Sequence, residues 1–235
     1  MSVGILYHAF VCFVSGITGL IVFRLLRKIR EERRIKYSEG VDYFSLMLGL
    51  LWVSVGIRIL FLWLGNIEFE ILTYKLLAGP LGYLHLIPGF FYLGWSFFKD
   101  NKRIRFLFNS FFTIVALTAV FTLLRYGFSR PEPTYWGNNM VPNSLSNKIF
   151  VFGVFIPLFP CLIIDFIRRL SRWKKTNDIA ERQLFLFTLG LLLYSIIGVF
   201  DVMGAAQNWT VLLTRSGMMI IPLIFYLAAV FETED

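Results

Sequence analysis

Four ionisable side chains interrupt stretches that are otherwise apolar: Arg58, Lys75, Asp201 and Arg215. A charge held in hydrocarbon is costly, so such residues mark a ligand site, an ion path or a structural pair. Asp201 comes just before a short turn and Arg215 just after it, which puts them at similar depth on neighbouring helices, within pairing reach. Arg58 and Lys75 fall at the same end of their own helices. The plainer reading is a structural ion pair with long side chains reaching toward the interface. The alternative is an outward-facing site for an anionic or carboxylate ligand, since three cations meet one anion. His85, near the middle of its span, reads first as an interhelical hydrogen-bonding residue and second as a ligand contact. Arg58, Lys75, His85, Asp201 and Arg215 are thus the candidate ligand-binding residues.

Other chemistry has little to work with. There is no HExxH, GxSxG or phosphate-binding loop, so no catalytic residue is expected. His8 and His85, the two histidines, are placed at different depths and make a poor axial pair for haem. Cys12 and Cys161 have no metal-ligand spacing and read as small apolar residues. The last helix contains no lysine, which argues against a retinal Schiff base. No cofactor or metal is expected. Asp165 is followed by Arg168 and Arg169 at i+3 and i+4 near a helix end, the pattern of a solvated intrahelical pair.

The elements that must position these residues are membrane helices. Of 235 residues, 57% are hydrophobic and only 16% charged, with a mean hydropathy of +0.68. That is too little polar surface to coat a globule in water. Seven apolar runs, approximately 3–26, 43–64, 71–98, 104–126, 149–167, 183–203 and 211–231, can each cross about 30 Å of hydrocarbon as a helix. The first lacks a basic leader and a cleavage site, so it is expected to be retained. Together they form a single domain over 1–235. The third run is broken by Gly79-Pro80 and Pro88-Gly89 and the fifth by Pro157 and Pro160, so both should bend. Their patterns do not match, which weighs against the inverted repeats of a secondary transporter.

Charge orients the chain. Seventeen of the twenty-three Lys and Arg residues follow the first, third and fifth runs. With seven crossings all three segments share one side, the cytoplasm, leaving the N-terminus outside and the C-terminus inside. The net charge of +8 is explained this way and does not call for nucleic acid. The one long external connection, 127–148, is either a lid or a mobile surface segment, the latter preferred, with Tyr135-Trp136 resting in the interface. Ser15 and Gly19, and Gly190 and Gly198, suggest helix packing. Asn208-Trp209-Thr210 matches a glycosylation sequon in a loop too tight to favour its use.

Three segments carry a family resemblance: LGYLHLIPGFFYLGWSFF with Pro88 in its middle, Glu181-Arg182-Gln183 followed by LFLFTLG, and IIPLIFYLAAVF with Pro222. In these and in its layout the chain resembles the seven-helix N-terminal sensor region of bacterial histidine kinases. The resemblance implies an outward-facing sensory domain in the cytoplasmic membrane whose last helix leads to signalling modules. This sequence ends at Phe231-Glu232-Thr233-Glu234-Asp235, without a phosphoacceptor helix or ATP-binding domain. Either this is a stand-alone member or the sequence stops where an output domain would begin; the expectation is a non-catalytic sensory or accessory subunit, in contact with lipids and acting through a protein partner. A transporter or channel subunit and a structural subunit of a larger complex are the alternatives.

Overall fold

The computed structural model describes residues 2–33, 39–128, 132–176, 179–202 and 210–230. It is all-α apart from one small hairpin. Helix α1 runs Val3–Arg33 and α2 Glu39–Trp63. A third crossing is assembled from α3 (Ile67–Thr73), a π-helical segment Tyr74–Ala78, α4 (Gly79–Leu84) and α5 (Ile87–Phe97). Then come α6 (Lys102–Tyr126), strands β1 (Glu132–Thr134) and β2 (Gly137–Asn139), and α7 (Ser144–Phe150). A second π segment, Val151–Phe155, leads into α8 (Ile156–Thr176). Helices α9 (Ile179–Val202), α10 (Thr210–Met218) and α11 (Ile220–Val230) complete the chain.

Six helical stretches are long and apolar enough to cross a membrane, and a shorter apolar one, Thr214–Ala228, follows. The protein is a multi-pass membrane protein. Large apolar side chains on α6, including Phe106, Leu107, Phe111, Ile114 and Phe121, are exposed, as suits a lipid-facing helix. The crossings pack in sequence and α11 returns to α1, closing the bundle. Phe44, Phe90, Phe187 and Phe225 fill its centre. Where α1 meets α2 the backbones nearly touch: a Cβ added to Gly16 would lie 2.7 Å from the Val53 amide nitrogen. Gly19 faces the Cα of Gly49 in the same seam. Small residues thus serve helix packing inside one chain.

The two broken crossings are broken in the same way. Each π segment directly precedes a residue–proline pair, Gly79-Pro80 and Ile156-Pro157. A proline in a regular α-helix clashes with the carbonyl four residues back. Here the preceding turn is widened, so the Gly79 amide bonds Tyr74 O and the Ile156 amide bonds Val151 O, each five residues back. The two crossings run in the same direction, so the shared device is no inverted repeat.

Helix ends differ from the sequence expectation. Helix α1 extends to Arg33, carrying Arg24, Arg27, Lys28 and Arg30 on the helix. The third crossing starts at Ile67, because Gly65 turns the chain at φ 78° and the Asn66 side chain caps the new helix by accepting from the Phe69 amide at 3.2 Å. The described basic residues after the first, third and fifth runs, among them Arg30, Lys99, Lys102, Arg168 and Arg172, lie at the end of the bundle opposite the hairpin.

Candidate functional site

At the hairpin end, α2, the third crossing, α7, α9 and α10 surround a cavity of about 310 Å³. Arg58, Arg215, His8, His85, Trp52, Tyr74 and Tyr194 are among its lining residues. Both π segments contribute, through Tyr74, Ala78 and Phe155. Such segments are frequent at functional sites because they re-aim side chains within a helix.

The hairpin roofs this cavity. The described residues of 127–148, expected to form a mobile surface segment, are fastened to the bundle by hydrogen bonds that include four at residues 135–140. Ser2 Oγ donates to Tyr135 O at 2.6 Å, and His8 Nδ1 to Trp136 O at 2.6 Å. Asn138 Nδ2 donates to Glu70 Oε2 at 2.6 Å, and the Tyr74 hydroxyl to Met140 O at 3.2 Å. The turn is closed by Thr134 Oγ1 donating to Gly137 O at 2.5 Å. Thr134, Trp136, Gly137 and Asn138 line the cavity. The segment is a lid, because backbone carbonyls at its tip have partners on α1 and the third crossing.

Arg58 is buried, with only 6% of its surface exposed. Its guanidinium lies 5.7 Å above the Tyr74 ring, and its Nε has no hydrogen-bond partner among the described residues. Trp52 Nε1, also buried in the cavity wall, has none among them either. An unmade hydrogen bond in a buried site costs free energy, so two free donors on one wall suit an acceptor ligand. Arg215 lies 5.3 Å over the Trp52 ring and donates to His8 Nε2. Because Nδ1 of His8 must donate to the Trp136 carbonyl and Arg215 can only donate, the ring is the neutral Nδ1–H tautomer. At the floor, His85 Nδ1 donates to Leu81 O at 3.2 Å, and its Nε2 meets the Tyr194 hydroxyl at 2.7 Å. His8 and His85 thus line one cavity from its two ends, at the different depths expected of them. All four of their ring nitrogens have protein partners.

The predicted constellation is partly regrouped. Arg58, His85 and Arg215 come together. Lys75 does not: it is exposed together with Leu76 and Leu77, because Tyr74 and Ala78, four positions apart, take the face that looks into the cavity. The Asp201 side chain lies outside the described residues, as does the 208–210 sequon apart from the backbone of Thr210. The buried acid that sequence reasoning missed is Glu70, fully buried and attracted to Arg58. It falls just before the run that starts at 71, and the Gly65-Asn66 turn and cap are the signal that it belongs to a helix.

A second polar cluster lies at the basic end. Asp165, expected to be a solvated pair, is fully buried. Its Oδ1 accepts from Ser96 Oγ at 2.6 Å and from Arg168 at 2.5 Å. Its Oδ2 accepts from Thr188 Oγ1 at 2.7 Å and the Tyr92 hydroxyl at 3.2 Å. Arg169, nearly as buried, bridges to Glu181 at 2.9 Å. The cluster ties α5, α8 and α9 together, and α5 packs over the carboxylate that α8 alone would leave to solvent.

Compared with family models, curated proteins and solved structures, the chain matches none of them.

Proposed function

We propose that this chain is a non-catalytic, seven-helix sensory subunit of a bacterial cytoplasmic membrane, with the lidded cavity facing outward to bind a small anionic ligand. The apolar helix 214–228, with the residues before it, serves as the seventh crossing. The N-terminus is then outside and the C-terminus in the cytoplasm. The gathering of basic clusters opposite the hairpin supports this orientation, and the resemblance to histidine-kinase sensor regions supports the sensory role. The output passes to a protein partner at the basic face.

The observation that carries the reading is Arg58: a cation 6% exposed, stacked on Tyr74, with an unpartnered Nε on a cavity wall. A permanently charged guanidinium in such a place recognises carboxylates and similar anions. The test is ligand-induced stabilisation of the purified chain in lipid nanodiscs. Small carboxylates should raise the unfolding midpoint of the wild type and leave that of Arg58→Gln unmoved, with both proteins folded. Equal stabilisation of the two would remove Arg58 from the site and this function with it.

A further inference from the structure

We infer that the ligand of the lidded cavity is an amphiphilic monocarboxylate, its carboxylate at Arg58 and an apolar body extending toward His85; this rests on the anion-binding reading above. The cavity is graded. Its hairpin end carries the polar groups Arg58, Arg215, His8, Thr134 and Asn138. Deeper along the same helices the wall becomes Leu51, Val55, Ala78, Phe155 and Met218. From Arg58 to Leu51 is seven helical residues, about 10 Å along the axis.

Single charge follows from which donors are uncommitted. Arg215 is engaged with His8, whereas Arg58 makes no hydrogen bond or ion pair with the described residues. One guanidinium without a hydrogen bond among the described residues matches one carboxylate better than a polyvalent anion. An apolar body follows from the floor, where His85 and Tyr194 satisfy each other at 2.7 Å, and the Tyr83 hydroxyl donates to Ser146 at 3.1 Å. These residues present rings rather than polar atoms to an occupant. Gly82 leaves the floor open, since a Cβ added there meets no atom within 4 Å.

The test compares acetate, butyrate, hexanoate and sulfate by calorimetry on the full chain in nanodiscs. Arg58→Gln is measured in parallel, so that partition into lipid cancels. Affinity should rise about fourfold per methylene from acetate to hexanoate, with sulfate the weakest. Gly82→Leu should abolish the gain between butyrate and hexanoate. Gly198→Val, where a Cβ would make only a 3.7 Å contact with Phe155, is the substitute if that variant fails to fold. Hexanoate binding no tighter than acetate, or sulfate binding as tightly, overturns the amphiphile inference while leaving the anion site standing. If no anion distinguishes the wild type from Arg58→Gln, the anion site itself fails. A chain-length gain that survives both cavity-filling variants also overturns the inference, because the body then lies elsewhere.

Discussion

Replacing Asp165 with asparagine keeps the shape of the buried side chain and removes its charge. The carboxylate accepts from Ser96, Arg168, Thr188 and Tyr92. The amide has one oxygen left to accept, and its NH2 must face donors on the other side. Hydrogen bonds to a charged group contribute about 1.5–3 kcal/mol each, and orphaning a buried ion costs about 3–5 kcal/mol. Two features reduce the loss: Arg169 keeps Glu181 at 2.9 Å, and the Arg168 side chain, 27% exposed, turns to water. The expected net cost is about 3 kcal/mol, in the range set by those two terms. Reversible unfolding in mixed micelles measures it directly. Glu31→Gln is the control, because the Arg27–Glu31 pair is 58% and 60% exposed, and pairs so open to water add little to stability. If Asp165→Asn costs no more than Glu31→Gln, the carboxylate is solvated and the clamp between α5, α8 and α9 does not exist.

At the seam between α1 and α2, Gly16→Ala pushes a methyl into the Val53 backbone and should destabilise by about 1–3 kcal/mol, read as a lowered unfolding midpoint. Asn138→Asp sets a second carboxylate against buried Glu70 and should free the lid, seen as faster proteolysis within the hairpin. In a background with Cys12 and Cys161 replaced, a membrane-impermeant maleimide should label Tyr135→Cys on intact cells and Arg172→Cys only after permeabilisation. Labelling of both from one side would refute the proposed topology.

Six of the seven expected crossings were legible because hydropathy over twenty residues responds to the bilayer and to little else. The charged network at the basic end was not. Asp165 with arginines at i+3 and i+4 has the same spacing whether water or another helix covers it. The residues that decide the matter, Ser96, Tyr92 and Thr188, are 23 to 73 positions away in sequence. At the hairpin end, Arg58, His85 and Arg215 were found by being polar inside apolar runs, a signal that survives without knowing the fold. Glu70 escaped because helix starts depend on one glycine and one capping asparagine. Lys75 shares its depth with Arg58 but not its face, and depth alone is what a charge inside an apolar run reveals. The lid could not be read from 127–148, since main-chain carbonyls make much of its attachment and they are the same in every sequence.

The two π segments give the chain a length constraint that hydropathy does not reveal. Each holds one residue more than an α-turn, and that extra residue widens the turn ahead of its proline. Deleting any single residue between 74 and 78 would leave an apolar stretch still long enough to span the bilayer. It would nevertheless return Pro80 to a regular α-turn, where its ring clashes with the carbonyl four residues back. The same holds for 151–155 and Pro157. In these ten positions residue number matters more than residue type, so conservative substitutions should be tolerated where a one-residue deletion is not.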